Sequence, residues 1–201
     1  MRARKIAPLF VVIALLAAAS GCGGQTVKNT SPAATAVAKA SAEWKSDGTI
    51  GDGEYTQTHK IGDIEVFTRV EGDTVMMALR AKTKGWVALG IDPEDKMKGA
   101  DIIMSSVKDG QATVLDMYST GTFGPHPADD QQGGTNDIQA VSGSHKDGVL
   151  TVEFKRKLNT GDSKDKPLRI GDNRVIWSIG DTLDPAVKHS NRGAGVLTLS
   201  Q

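Results

Sequence analysis

The sequence predicts an all-β fold, an antiparallel β-sandwich of about ten strands. Three observations carry this. Apolar residues recur in short runs that alternate with polar ones at period two, as in Leu150, Val152 and Phe154 against Thr151, Glu153 and Lys155. Turn pairs such as Gly72-Asp73, Asp109-Gly110 and Asp147-Gly148 separate the runs at hairpin spacing. Between Trp44 and Gln201 no apolar stripe at helical spacing lasts three turns.

In chain order, residues 1–21 read as an export signal. Arg2, Arg4 and Lys5 give a basic start, 7–19 is almost wholly apolar, and small residues follow. The apolar stretch is short for a membrane-spanning helix. Ala19-Ser20-Gly21-Cys22 resembles a bacterial lipobox, with Ala19 where Leu is commoner. The resemblance implies that Cys22 becomes the lipidated N-terminus; the plainer alternative is an ordinary secretory signal with an incidental cysteine. Residues 22–42 then form the lipidated Cys and a Ser/Thr/Ala/Gly-rich tether, whose 20-residue coil reaches roughly 25 Å. The expected location is the cell envelope, on the extracytoplasmic face, lipid-anchored. Gly23 after Cys22, in place of aspartate, points to an outer membrane or cell surface.

The domain proper is 43–201, with strands expected at 55–60, 63–70, 74–81, 86–91, 101–107, 112–118, 138–142, 149–157, 174–179 and 194–199. About 160 residues suffice for one core and not two. Two irregular stretches interrupt the strands, 120–137 and 180–193. Long loops on a rigid sandwich are where binding residues tend to sit.

Composition narrows the chemistry. The chain has 24 Lys+Arg and 24 Asp+Glu, and the signal holds three of the basic residues, so the processed protein is acidic by about three charges. That argues against a nucleic-acid partner, which needs a clustered basic face. Cys22 is the only cysteine, so no internal disulfide forms, and no Cys-x-x-Cys-His is present for covalent haem attachment. No Gly-x-Ser-x-Gly setting appears and the carboxylates show no glycosidase pair, so no catalytic constellation is legible.

Met97 is out of place in the polar loop Asp92-Pro-Glu-Asp-Lys-Met-Lys-Gly unless something apolar or soft lies over it. His189 occupies a comparable loop, Asp184-Pro-Ala-Val-Lys-His-Ser-Asn-Arg-Gly. The bland alternatives are an exposed loop methionine and a surface histidine. Met76 and Met77 are adjacent in a strand, so one faces the core and the other out; Met104 and Met117 read as core filler. His126, between two prolines and near Asp129 and Asp130, either ligates a metal or orders its loop. Asp129, Asp130 and Asp137 either bind Ca²⁺ or face solvent. His59 and His145 read as solvated strand-edge residues. Trp44, Trp86 and Trp177 offer either a sugar-stacking platform or core packing, and the alternation favours the core.

Taken together, Trp86-Val-Ala-Leu-Gly-Ile, Met97-Lys-Gly-Ala-Asp-Ile-Ile, Asp109-Gly, Leu158-Asn-Thr-Gly-Asp, Ile176-Trp-Ser-Ile-Gly and His189 before Arg192-Gly resemble the DOMON domain over about residues 44–201. The resemblance implies an immunoglobulin-like sandwich. Many such domains bind b-type haem through one Met and one His, in the loops where this chain has Met97 and His189. Others bind no haem and are thought to contact sugars or metal ions. The first reading is an electron-transfer protein holding haem b without a covalent bond. Met97 and His189 are 92 positions apart, which suits ligands on opposite faces of a haem wedged at one end of the sandwich, delivering electrons to a redox partner protein. Arg192 would then pair with a haem propionate or face water. The alternative is a haem-free sugar- or ligand-binding module, or a metal-binding accessory domain using His126.

Overall fold

The computed structural model describes residues 39–201. The signal, Cys22 and most of the tether lie outside the described residues. Ten strands run in order: β1 Gln57–Ile61, β2 Ile64–Glu71, β3 Thr74–Lys82, β4 Trp86–Ile91, β5 Asp101–Lys108, β6 Gln111–Tyr118, β7 Gln139–Lys146, β8 Val149–Lys157, β9 Gly171–Ile179 and β10 Asn191–Leu199. A 3₁₀ turn at Asp129–Gln132 precedes β7. The strands form two five-stranded antiparallel sheets, β1-β2-β3-β8-β7 and β10-β9-β4-β5-β6. The predicted all-β sandwich is the fold observed. Among the described residues, no helix is long and apolar enough to cross a membrane.

Local chemistry accounts for the hairpins. Asp109-Gly110 and Asp147-Gly148 join their strands with both residues at positive φ, 51° and 78°, then 53° and 76°. That backbone twist matches the twist of the flanking strands. Strand ends differ from expectation where pairing outlasts the apolar pattern. β9 and β10 each begin three residues earlier than predicted, because the ladder from Asn191–Ile179 to Leu199–Gly171 continues through polar and glycine positions.

Between the sheets, Val66, Leu79, Val152 and Phe154 meet Val87, Leu89, Ile103, Val175 and Leu197, all buried. The period-two reading placed Leu150, Val152 and Phe154 correctly. It did not anticipate that both outer faces are covered. On the first sheet, Met76 does face outward, yet it is buried with Tyr55, Phe67 and Ala78 under Trp44 and Ile50. Glu153, on the face opposite Val152 and Phe154, is also buried. It accepts hydrogen bonds from Tyr55 Oη (2.8 Å), Gly48 N (2.7 Å) and Asp47 N (3.1 Å), which fasten the segment before β1 onto the sheet. Ser41 N and Ala42 N both donate to Gly53 O. His59 is buried in β1, contrary to the solvated reading, while His145 is exposed and bonds Thr83 O at 2.7 Å.

The second sheet turns another apolar cluster outward: Trp86, Ala88, Ala100, Ile102, Met104 and Met117. Met104 and Met117 are buried as predicted, but they lie outside the inter-sheet core.

Candidate functional site

Trp86, Ala88, Ile102 and Met104 of that cluster floor a cavity of about 710 Å³. β4 contributes Trp86, Ala88 and Gly90, β5 Ile102 and Met104, β9 Ile176 and Ser178, and β10 Arg192 and Ala194. Three loops wall it, carrying Lys96 and Met97, then Thr122, Phe123 and His126, then Pro185 to His189. The size lies within the range of small-molecule and cofactor sites, roughly 300–1,000 Å³. The site therefore sits on the outer face of one sheet, not at the end of the sandwich as the sequence suggested. Alternation makes this outcome possible, since β4 sends Val87, Leu89 and Ile91 inward and leaves small Ala88 and Gly90 beneath the cavity.

Met97 is half-buried at the tip of a tightly held loop. Glu94 N donates to Lys98 O (2.8 Å), Lys98 N to Asp95 O (2.9 Å) and Ala100 N to Met97 O (3.1 Å). Arg174 Nη2 pairs with Asp92 Oδ1 at 2.7 Å on one side, and Gly99 N donates to Ser119 O at 2.8 Å on the other. The thioether is thus presented from a braced backbone.

His189, also half-buried, lies in the opposite wall. Arg192 Nη1 stands 3.4 Å from its Nε2. A guanidinium has only donors, so this nitrogen carries no proton and its one lone pair is turned towards Arg192. Burial, then the Arg192 and Lys188 charges, hold the imidazole below its usual pKa. The neutral form is the one that binds metals.

His126 does not form a separate site. It shares the cavity with Met97 and His189, with Nδ1 buried and unpartnered. Its pKa is lowered first by burial and then by His189. Trp86 Nε1 and Trp177 Nε1, on two further lining residues, are also buried without partners. Lys96, Lys188 and Arg192 bring three cationic side chains to the lining, and Lys96 Nζ stands 4.2 Å from the centroid of the exposed Phe123 ring. Trp86 and Trp177 are buried and Trp44 is half-buried, so none of them offers the open platform of the sugar reading.

Asp129, Asp130 and Asp137 do not act together: Asp129 is buried, Asp130 exposed, and Asp137 half-buried. The carboxylates gathered instead are Asp101, Asp116 and Asp165, with one oxygen from each within 4.8 Å of the others. Arg156 pairs with Asp101 (2.8 Å) and Asp165 (3.2 Å), all three side chains being buried. The sequence reading missed this group. Its available signal was Arg156 continuing the inward series Leu150, Val152, Phe154.

Comparison with known families bears on this geometry. The DOMON domain profile matches residues 60–180. The chain belongs to the DOMON domain family. This DOMON domain is 32% identical over 108 residues to DBH-like monooxygenase protein 1 of Mus musculus, covering 54% of the chain and 17% of that protein. It is 30% identical over 132 residues to the Homo sapiens protein of the same name, covering 64% and 21%. The chain thus spans about a fifth of the length of the curated relatives it matches. Among solved structures it resembles the cytochrome b domain of pyranose dehydrogenase from Coprinopsis cinerea, with a TM-score of 0.53 at 13% identity over 71% of this chain and 80% of that one. At that identity the likeness is one of fold.

Proposed function

We propose that this DOMON domain binds haem b non-covalently and carries electrons, with Met97 and His189 as the axial ligands. The observation that carries the reading is that these side chains, 92 positions apart in sequence, line one cavity of about 710 Å³. The fit to the group rests on four features. The floor of Ala88, Gly90, Ile102 and Ile176 is apolar and low; a carbon added at Gly90 would stand 2.7 Å from Ile176 Cγ1. His189 Nε2 carries no proton, and its lone pair would be open to iron once Arg192 turned to a propionate. Lys96, Lys188 and Arg192 offer charge to the carboxylates of a propionate-bearing ligand. Three buried ring nitrogens on lining residues have no partner among the described residues.

When bound, haem supplies a one-electron ferric–ferrous couple. The chain's own residues set its character. Met97 and His189 would hold the iron, and a thioether with an imidazole would favour its reduced state and reserve the site for electron passage. Ile102, Met104 and Ile176 keep water from the floor, and the braced 92–100 loop holds the thioether in place. In this role the protein serves a redox partner protein, tethered through a lipidated Cys22 on the extracytoplasmic face of the envelope.

Protein produced with haem supplied should show a sharp low-spin Soret band that shifts on dithionite reduction. Met97→Ala and His189→Ala should each turn the iron high-spin or release it. A colourless product after haem addition, or indifference of the spectrum to both substitutions, refutes the reading.

A further inference from the structure

At the edge of the inter-sheet core, away from the cavity floor, lies a concentration of charge that the electron-carrier reading does not use. Asp101 opens β5 and Asp116 lies in β6, diagonal to it across the ladder that pairs Asp101 with Tyr118 and Ile103 with Asp116. Arg156 reaches in from β8 and Asp165 from the loop before β9. Asp129, 1% exposed in the 3₁₀ turn, directly follows Ala128, which bridges to Met117 beside Asp116.

These four buried carboxyls have one cation among them, Arg156, so full ionisation leaves three uncompensated negative charges. Isolated buried charge of that kind is strongly unfavourable. Burial and the neighbouring carboxylates hold Asp116 up at about 7 and Asp129 up at about 8. Hydrogen bonds do not make up the deficit. Asp101 Oδ2 accepts from Arg156 Nη1 (2.8 Å) and Lys166 N (2.9 Å), and Asp116 Oδ2 from Asp137 N (2.8 Å). Asp101 Oδ1, Asp116 Oδ1 and both oxygens of Asp129 are buried with no donor among the described residues. Asp101 and Asp116 are 0% and 2% exposed. Unpaired acceptors at this depth are rare in folded proteins and call for a partner.

We infer that Asp101, Asp116 and Asp165, with Asp129 beside them, form a binding site for one Ca²⁺ ion. The donors are all oxygen, the set that hard cations take and that softer transition metals do not prefer. Oxygens bound to one Ca²⁺ at about 2.4 Å lie no more than about 4.8 Å apart, and the three clustered oxygens meet that limit. Ca²⁺ accepts the irregular ligand arrangement of three separate segments, whereas Mg²⁺ demands near-octahedral geometry. With Arg156 retained, a divalent ion reduces the excess of three negative charges to one.

The test uses the purified full-length protein, stripped with chelator and then titrated with CaCl₂ by calorimetry, with elemental analysis of the dialysed product. One Ca²⁺ per chain and a thermal midpoint several degrees higher than in chelator are expected, with MgCl₂ at the same concentration giving less than half that shift. Asp129→Asn and Asp116→Asn should each weaken Ca²⁺ uptake at least tenfold. In chelator, both should melt at or above the wild-type midpoint, because each removes a buried carboxyl crowded by other acids. Asp130→Asn, at the exposed neighbour, should bind Ca²⁺ as wild type does. Absence of calcium uptake by folded wild-type protein overturns the inference. So does undiminished uptake by both variants, or a chelator-state midpoint well below wild type in both, which would mean that the carboxylates are held by structural bonds alone.

Discussion

Replacing Gly90 by valine tests whether the floor of the cavity is where a flat ligand lies. Gly90 pairs with Ile102 on β5 and Ile176 on β9, at the centre of the floor. A Cβ there would stand 2.7 Å from Ile176 Cγ1, 3.1 Å from Cδ1 and 3.5 Å from Ala100 Cβ. Carbon atoms rest at about 3.5–4.0 Å, so the first added carbon already requires Ile176 to yield by about 1 Å. The two methyls beyond it enter the cavity. Without ligand that space can receive them, and valine suits a strand better than glycine, so folding should survive. With ligand bound the same methyls are overpacked, at a cost of about 1–3 kcal/mol. Haem affinity should therefore fall by about 5- to 150-fold, read by Soret titration beside a circular-dichroism melt. Gly90→Ala should give a smaller loss in the same direction. Equal haem affinity for Gly90→Val and wild type, with both proteins folded, would refute the placement of the bound group on β4.

Three further expectations concern the frame. Arg156→Met in chelator should cost about 3–5 kcal/mol by urea titration, because it strands the buried carboxylates that Arg156 pairs. Tyr55→Phe removes the hydroxyl between Trp44 Nε1 (2.9 Å) and Glu153 Oε1 (2.8 Å), and should cost about 1–3 kcal/mol with a red shift of Trp44 emission; an unchanged spectrum would show that the 44–56 segment is held otherwise. Burial lowers the pKa of His59 below its usual value, so between that folded value and about 6.5 the unfolded chain binds the extra proton. Stability should thus be full above pH 6.5 and decline as pH falls below it, and His59→Gln should flatten that part of a denaturation-midpoint profile.

The sequence shows side chains' sides more readily than what covers them. Period-two alternation assigned Leu150, Val152 and Phe154 to the core because a strand's pleat leaves no other choice. The same rule sent Met76 and Glu153 outward and stopped there. Only the docking of Trp44, Ile50 and Tyr55, from a segment without strand pattern, buries them. Met104 and Trp86 show the same limit on the second sheet, where an outward apolar row is the floor of a cavity whose walls come from loops. Met97 stood out because a thioether breaks the chemistry of its polar loop, and His189 through the resemblance to DOMON domains; both line one cavity. The Asp101–Arg156 group was less legible because it draws on β5, β6, β8 and two loops, and contacts between distant segments leave no local pattern. One part of it left a local trace. A strand whose inward positions read Leu150, Val152, Phe154, Arg156 places a guanidinium where water cannot reach, and buried charge requires countercharge. The inward register therefore implied buried acids opposite β8, although it could not say which ones.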